Sequence, residues 1–532
     1  MNRGIPTLLI VTQSFEVGGL ETYIAGQVRV MAAAGWKMHM ACGSSPTAEF
    51  LPAGLSSVTG GISLGPNSTA AELVGTVETL RAIIREHAVT HVHAHPFTSL
   101  FPAMLAAALE GVPFIFTLHG PASLSIGYGP FNDFLLTSLV LPQASLVLAV
   151  SEEVEELAAP YVGAEQLCVQ NNAIDFARFR LRESPVAKDA PWLLVSRLDG
   201  LKIPGIRAFV NQASALALGR VDIVGDGPGR ETLLAWLEED GIAGIARFLG
   251  ASSQVSELMR SSAGVAGMGR VLLEGVACGK PVCMVGYDGV KGLLDPDLFR
   301  LAAYANFSGR NLPNVSEEQL RSQFAHTPLE SAELREVANR HHSEDLVWAD
   351  FSKRITSLTC NAQLQAQALY SVLRSEEVVA SPSPYLTSEE LFYRIGQVLH
   401  GAAFYSPVTA ASYEFYRTRM QAQLSGKANE ETRTSIMQAF EAARLDLRSA
   451  VSEATAPEAG NGEKIERLLS ELQQLGEQVQ HLGMQDEQLH GELVKALRQV
   501  ENAIVEAAAS VPPDSWPQRI SDALKSLRGR AR

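Results

Sequence analysis

The sequence predicts an α/β protein with two doubly wound domains facing a cleft, followed by an all-α extension with a coiled coil. Up to about residue 345, short apolar runs alternate with amphipathic helical patterns, and the alternation restarts near residue 186. Apolar strands separated by such helices are typical of parallel sheets covered on both faces. Beyond residue 345 the strand pattern stops, and from residue 463 apolar residues recur in heptads. Sustained heptads favour a coiled coil over a globular helix.

The N-terminal domain is predicted over residues 1–185. Its strand-like runs are Thr7–Thr12, Lys37–Cys42, His91–His95, Pro113–Leu118 and Ser145–Val150. The helical patterns between them are Leu20–Ala33, Ala71–His87 and Thr98–Leu109.

The second domain is predicted over residues 186–345. Its strand-like runs are Trp192–Ser196, Arg220–Val224, Ala246–Leu249, Gly264–Ala266 and Pro281–Val285. Helical patterns occur at Gly229–Glu239, Gln254–Ser261 and Val271–Cys278. Two such domains in tandem form a cleft at the carboxyl ends of their strands, where ligands of α/β sheets bind.

The C-terminal extension divides into four segments. We predict return helices at 346–376, a helical region at 377–460 after a Ser-Pro-Ser-Pro linker, a coiled coil at 463–508 and an amphipathic helix at 515–532. The heptads favour a homo-oligomer, with an intramolecular hairpin as the alternative. For the basic terminal helix, ordinary packing is favoured over docking on an anionic membrane surface.

Composition excludes several classes of protein. A net charge of −15 over 532 residues argues against a general nucleic-acid binder, which needs a basic face. The five cysteines are scattered and contain no Cys-x-x-Cys pair, so neither a disulfide framework nor a zinc site is indicated. The sequence has no signal-peptide pattern and no apolar run of membrane-spanning length. We therefore expect a cytoplasmic protein, with peripheral contact at the inner membrane face left open.

Two features of the N-terminal domain are candidates for ligand contact. Gly18 and Gly19 separate the first strand from a helix, where backbone N–H groups can approach an anion or a sugar oxygen; a tight turn is the alternative. His119 follows an apolar strand at its carboxyl end, beside Gly120. A structural histidine is the alternative there.

Three further histidines, His91, His93 and His95, alternate along one predicted strand. Such a cluster raises the question of a metal. No carboxylate or cysteine lies beside them at ligand spacing, so we predict that they bind none.

The second domain supplies candidates for phosphate binding. Arg197 and Lys202 lie just beyond a strand, where paired cations can neutralise a diphosphate; a solvated salt-bridged loop is the alternative. Downstream, a strand ends in Gly267-Met268-Gly269 and a helix begins at Arg270. The start of a helix offers free N–H groups and partial positive charge to phosphates. Glu274, one turn into that helix, can reach ribose hydroxyls, and Arg270 adds a cation.

These segments together resemble the retaining nucleotide-sugar glycosyltransferases of the GT-B fold, in family 4 (glycosyl transferases group 1). The resemblance covers residues 5 to 345, and no single motif is specific; the ordered set is. The motifs are Gly18-Gly19-Leu20-Glu21, Thr117-Leu118-His119-Gly120, Val150-Ser151-Glu152, Asn172-Ala173-Ile174-Asp175 with Phe179, Arg197 with Lys202, Gly225-Asp226-Gly227-Pro228, Leu273-Glu274-Gly275 and Gly279-Lys280-Pro281-Val282.

The resemblance implies roles for these residues. Arg197 and Lys202 would bind the diphosphate of a nucleotide-sugar co-substrate, assisted by the amides of Gly267 to Gly269, and Glu274 would hold the ribose. His119 would face the donor sugar and the acceptor, and Gly18-Gly19 would shape the acceptor side. No metal or other cofactor is implied. The acceptor would be a saccharide or a lipid-linked saccharide, in bacterial surface polysaccharide synthesis.

The sequence departs from the family at one position. The family usually carries two glutamates separated by seven residues, and Ala266 stands where the first would precede Glu274. Two alternatives to a transferase stay open. One is a catalytically degenerate GT-B protein kept as a coiled-coil scaffold, and the other is a sugar-nucleotide epimerase, which shares the two-domain architecture.

Overall fold

The computed structural model describes residues 5–400 except for 17, 47–50, 125–127, 183–184, 188, 327–331 and 361–362, and it also describes residue 417. By compactness the chain divides into Met1–Tyr416 and Arg417–Arg532, and both sheets belong to the first unit. The predicted coiled coil at 463–508, the helix at 515–532 and most of the region 377–460 lie outside the described residues. No helix in the described ranges is long and apolar enough to cross a membrane.

The N-terminal domain is built on a seven-stranded, fully parallel sheet in the order β3-β2-β1-β4-β5-β6-β7. The strands are β1 Thr7–Thr12, β2 Lys37–Cys42, β3 Leu55–Thr59, β4 His91–Ala94, β5 Phe114–Leu118, β6 Leu146–Ala149 and β7 Leu167–Val169. The helices are α1 Gly19–Ala33, α2 Ala70–Glu86, α3 Leu100–Glu110, α4 Pro130–Leu135, α5 Leu141–Gln143 and α6 Glu152–Ala158, with a π-helical turn at Leu136–Val140.

The second domain contains a six-stranded sheet in the order β10-β9-β8-β11-β12-β13, parallel except for β13. Its strands are β8 Trp192–Val195, β9 Val221–Val224, β10 Ala246–Gly250, β11 Gly264–Gly267, β12 Val282–Val285 and β13 Val290–Leu293. Its helices are α7 Ile203–Ala215, α8 Arg230–Glu239, α9 Val255–Ser261, α10 Arg270–Ala277, α11 Pro296–Tyr304, α12 Glu317–His326 and α13 Ala332–His342. The predicted pair of doubly wound domains is confirmed.

The chain crosses between the two sheets twice, and the two crossings are paired. The Ile174 N–H donates to the carbonyl of His342 over 2.6 Å, and the Glu344 N–H donates to the carbonyl of Ile174 over 3.0 Å. Beyond the second crossing, α14 Glu344–Ile355 packs on α1 of the N-terminal domain, where Trp348 and Phe351 are fully buried. The second domain is therefore joined to the first by both the outgoing and the returning chain.

Residues beyond α14 also pack on the N-terminal domain. They form α15 Gln363–Leu373, α16 Glu376–Val379 and α17 Glu389–His400, with the first two against α2 and α3. The Ser-Pro-Ser-Pro stretch, predicted to be a linker, leads into a backbone bond from Tyr385 N–H to Ser68 O of 2.9 Å. Phe392 of α17 packs against Phe131 and Phe134 of α4. The linker prediction missed this packing because its prolines stop the helix without ending the contact with the domain.

Candidate functional site

The loop after β8 and the turn after β11 lie side by side, because these strands are neighbours in the second sheet. Val195, the last residue of β8, pairs with Gly267, the last residue of β11. Arg197 and Lys202 follow the first of these residues, and Gly269 with α10 follows the second. Since parallel strands end at one edge of a sheet, the segment with the predicted cations and the predicted helix start leave the sheet at the same edge.

Arg197 and Lys202 both contact one carboxylate, that of Asp199. Oδ2 of Asp199 lies 3.2 Å from Nε of Arg197 and 3.4 Å from Nζ of Lys202. The other oxygen of Asp199 is buried and has no hydrogen-bond partner within the described part of the chain. The Arg197 side chain is 75% exposed and that of Lys202 is 22% exposed. Asp199, which no sequence motif indicated, holds the two cations on a common anionic centre.

A glycine turn after β9 fixes the loop that carries Arg197. Gly225 has φ of +132°, and a Cβ at this position would lie 1.8 Å from the carbonyl oxygen of Ser196. Leu198 donates its N–H to Asp226 O over 3.0 Å and accepts from Gly229 N–H over 2.8 Å. The turn at residues 225–229 thus supports the loop.

The turn before α10 is only partly open to a ligand. Gly269 has φ of +63°, in the region that favours glycine. Its N–H donates to the carbonyl of Phe307 over 2.7 Å. The expectation that Gly267 to Gly269 would all offer amides to a phosphate therefore needs correction: Gly269 N–H is already bonded. Met268, between the two glycines, is half-buried.

Arg270 is the first residue of α10, as expected, and its side chain has partners within the protein. Its guanidinium donates to the carbonyl oxygen of Ala173, in the first crossing between the sheets, over 2.6 Å. Its Nε also lies 3.7 Å from Oε1 of Glu274, and the side chain is only 12% exposed. Arg270 is therefore partly engaged within the protein, through the Ala173 bond and the nearby carboxylate of Glu274.

Glu274 is buried in α10, with 8% of the residue exposed. Burial raises the pKa of Glu274, and the nearby charge of Arg270 acts in the opposite direction. A buried carboxylate whose neighbouring cations lie beyond hydrogen-bond distance has hydrogen-bonding capacity left for a ligand hydroxyl.

Ala266 lies within β11 rather than in the turn. It pairs with Leu194 and Cys283 in the neighbouring strands and is fully buried in the core. In this arrangement the position of the missing glutamate faces apolar side chains, so it does not reach the sheet edge where Arg197 and Lys202 lie.

His119 lies at the carboxyl edge of the N-terminal sheet, directly after β5. The backbone N–H of His119 donates to Oγ of Ser123 over 2.9 Å. The ring atom Nε2 lies 3.0 Å from Nδ1 of His95. The ring packs edge-on against Tyr23, with ring centroids 4.9 Å apart. Burial lowers the pKa of His119 to about 3, so the imidazole is neutral near pH 7.

The other strand histidines have protein partners. His93 lies 2.9 Å from Gln27 Nε2 and 2.9 Å from Thr117 Oγ1. His91 lies 2.8 Å from the carbonyl oxygen of Ile355. Within the described residues, no group of three histidine, cysteine, aspartate or glutamate side chains is placed to hold a metal ion.

Gly18 and Gly19 lie at the start of α1, after β1. Glu21 folds back over this loop, and its Oε1 accepts from the Glu16 N–H over 3.2 Å. A Cβ at Gly18 would lie 2.7 Å from Oε2 of Glu21. One turn further along α1, Tyr23 reaches His119, so the glycine loop and the histidine belong to one connected edge of the N-terminal domain.

Side chains of the second domain also contact α6 of the N-terminal domain. Arg310 pairs with Glu153 of α6, and the hydroxyl of Tyr304 donates to Glu156 over 2.7 Å. Both partners in the second domain flank Phe307, whose carbonyl accepts the Gly269 N–H. No sequence signal pointed to these pairs, because each joins residues about 150 positions apart.

Two comparisons with known proteins find similarity to glycosyltransferases. Residues 17–178 match the model of Glycosyltransferase Family 4. The structure of a glycosyltransferase from Rickettsia africae is similar, with a TM-score of 0.53 and 15% identity over 66% of this chain and 98% of that chain. HepE from Anabaena, in complex with UDP and glucose, has a TM-score of 0.50 and 18% identity over 66% and 100% of the two chains. No curated protein matches the chain in sequence.

The fold is GT-B. At these identities the solved structures support the fold alone, and the match to the family model is confined to residues 17–178, in the N-terminal part of the chain. In this GT-B protein the N-terminal sheet carries Gly18, Gly19 and His119, and the C-terminal sheet carries Arg197, Lys202 and Glu274.

Proposed function

We propose that this GT-B protein is a retaining glycosyltransferase that moves a sugar from a nucleotide-diphosphate donor to a saccharide or lipid-linked acceptor. One observation carries the proposal: the Arg197–Lys202 loop and the start of α10 share one sheet edge, through the pairing of Val195 with Gly267. The family 4 domain at residues 17–178 and the UDP and glucose bound by the Anabaena neighbour support it.

The diphosphate would lie between the two cations and the first turn of α10. Asp199 now neutralises both cations through one oxygen, and an incoming diphosphate would share them with it. Charge-assisted hydrogen bonds to phosphate are the stronger class of hydrogen bond, and the helix start adds a favourable dipole. Glu274 would accept hydrogen bonds from the ribose hydroxyls.

In this proposal the cations supply the chemistry as well as the binding. When the bond from the sugar to the diphosphate breaks, negative charge grows on the leaving phosphate oxygen. Fixed cations near that oxygen stabilise the transition state more than the ground state. Because its pKa is lowered to about 3, His119 would serve as a neutral hydrogen-bonding group rather than as a proton donor at neutral pH.

Calorimetry with UDP and GDP, followed by transfer assays with a panel of nucleotide sugars, tests the proposal. Lys202→Ala should weaken binding of the matching diphosphate roughly tenfold or more, since a charged hydrogen bond is lost. Arg300→Ala is the matched control, because Arg300 lies in an exposed ion pair with Asp297. Failure of the wild-type protein to bind any nucleotide diphosphate would reject the transferase.

A degenerate GT-B scaffold is the second candidate, and the burial of Ala266 in the core favours it. That position supplies no carboxylate to the donor sugar, so substrate contacts must come from other residues. A scaffold binds neither UDP nor GDP and releases no nucleotide from any donor. A transferase does both.

The proposal extends to the cellular role. We place the enzyme in the cytoplasm, in contact with the inner membrane face through its acceptor, and in bacterial surface polysaccharide synthesis. The heptads at residues 463–508 would make it a homo-oligomer. Light scattering on the full chain and on a chain ending at residue 416 tests this, since only the full chain should exceed the monomer mass.

A further inference from the structure

Two histidines meet at the edge of the N-terminal sheet. His95 follows β4 and His119 follows β5, and these strands are neighbours. Nδ1 of His95 lies 3.0 Å from Nε2 of His119, so one proton lies between the two rings. Burial lowers the pKa of both residues, to about 3 for His119. Both rings are therefore neutral, and each carries a single N–H.

The surroundings of His95 decide which ring donates. Nε2 of His95 is buried and has no hydrogen-bond partner within the described part of the chain. If His119 donated, His95 would carry its proton on this Nε2, as a buried donor without an acceptor. If His95 donates, the same atom is a bare lone pair. Orphaned buried N–H groups are the rarer and costlier case, so the proton belongs to Nδ1 of His95.

The tautomer of His119 follows from that choice. Its Nε2 accepts from His95, so its own proton is on Nδ1. His119 is half-buried, and among the described residues its Nδ1 has no partner and is not sealed from solvent. Tyr23 packs edge-on against the ring at an interplanar angle of 86°, and Ser123 holds the backbone N–H. The ring therefore presents one fixed N–H at the sheet edge.

We propose that His95 is a positioning residue, which holds His119 in the Nδ1–H tautomer so that the cleft always meets a neutral hydrogen-bond donor. Such a donor selects an oxygen acceptor. This assignment rests on the proposed function: the oxygen that accepts the hydrogen bond is a hydroxyl oxygen, either of the transferred sugar or of the saccharide that receives it. His95 itself touches neither.

Nitrogen-15 NMR of histidine-labelled protein reads the tautomer directly and needs no activity. Wild-type His119 should show a protonated Nδ1 and a bare Nε2. In His95→Leu the donor is lost, and the two tautomers of His119 should mix. In His95→Asn the amide nitrogen stands close to the place of Nδ1, so the wild-type pattern should return. His91→Gln, on the same strand but bonded to Ile355 O, is the control and should leave His119 unchanged.

Kinetics separate positioning from a general loss of structure. His95→Leu should lower kcat/KM about tenfold, the equivalent of one hydrogen bond. Its affinity for UDP should stay unchanged, because the diphosphate lies on the other domain. His95→Asn should recover most of the rate.

A wild-type His119 protonated on Nε2 would overturn the inference, whether or not the enzyme is active and whether or not the leucine variant folds. Equal rates in His95→Leu and wild type would overturn it as well. Absence of transfer with every donor would instead count against the proposed function and leave the NMR result standing.

Discussion

The guanidinium of Arg270 lies 2.6 Å from the backbone carbonyl oxygen of Ala173, so the first residue of α10 is bonded to the crossing between the two sheets. The same crossing pairs with residues 342–344 on the return path. Glu344 there forms an ion pair of 2.6 Å with Arg29 of α1. Through Arg270 the proposed donor site is thus tied to the only segments of the described chain that join the two sheets covalently.

Arg270→Lys should reveal the strength of that tie. Lysine keeps the charge but cannot bond Ala173 and approach Glu274 at once. We expect the free energy of unfolding to fall by about 1.5–3 kcal/mol, the contribution of a charge-assisted hydrogen bond. Urea unfolding at pH 7 measures it. Arg300→Lys, in an exposed ion pair with Asp297, should change stability by less than about 0.5 kcal/mol. Equal losses in the two variants would show that the Ala173 bond contributes nothing.

Gly269→Ala should destabilise the turn before α10 through the backbone alone. The residue has φ of +63°, yet a Cβ there would meet no atom within 4 Å. A strained backbone of this kind costs about 1–3 kcal/mol. We expect a lower melting temperature and weaker UDP binding. Gly200→Ala, in the neighbouring loop, also meets open space but needs no positive φ, and it should be tolerated. Similar melting temperatures for the two variants would contradict the strain.

His342 should make stability depend on pH. Burial lowers its pKa to about 4, although Nδ1 lies 2.8 Å from the carbonyl oxygen of Asn172. In the unfolded chain histidine titrates near pH 6.5. Between these values the unfolded state binds more protons, so this contribution is complete above pH 6.5 and is lost as the pH falls toward 4.

Comparing the free energy of unfolding of wild type with that of His342→Gln isolates the pH-dependent contribution of His342. The wild-type free energy of unfolding should fall more steeply between pH 6.5 and 4, by up to about 1.4 kcal/mol per pH unit. Urea titrations at several pH values give both slopes. Parallel slopes would mean that His342 titrates alike in both states.

Phe392→Ala tests whether α17 belongs to the N-terminal domain. Phe392 is fully buried, with its ring centroid 5.4 Å from that of Phe131 and 4.9 Å from that of Phe134. Removing a buried phenylalanine costs about 3–5 kcal/mol. The melting temperature of this variant, measured by thermal unfolding, should be clearly lower than that of wild type. Leu346→Ala, whose side chain is 54% exposed, should change little. An unchanged transition in Phe392→Ala would mean that residues 389–400 do not stabilise the domain.

Most of the predicted strands are buried, and β10 is the exception, since it was predicted although it is a half-exposed edge strand. All six residues of β1 are buried, and a run of this kind can be recognised in the sequence because nearly every position is apolar. β3 and β7 escaped prediction because both are half-exposed edge strands; β3 contains polar residues, and β7 is only three residues long. The buried β13 also escaped prediction, because Lys291 and Gly292 interrupt its apolar run. Helix α7 was missed because it opens with Ile203-Pro204-Gly205, where proline and glycine read as a loop.

For the candidate site, the sequence by itself determined which residue types follow which strands. The order of residues along the chain determines which residues follow each strand. That order was enough to select Arg197, Lys202, Glu274 and His119 as candidates. Only the tertiary structure decided their partners: Asp199 between the cations, Phe307 on Gly269, Ala173 on Arg270 and His95 on His119. Except for Asp199, these partners lie far away in sequence, and hydrogen bonds between distant segments depend on how the sheets pack, which no local pattern encodes.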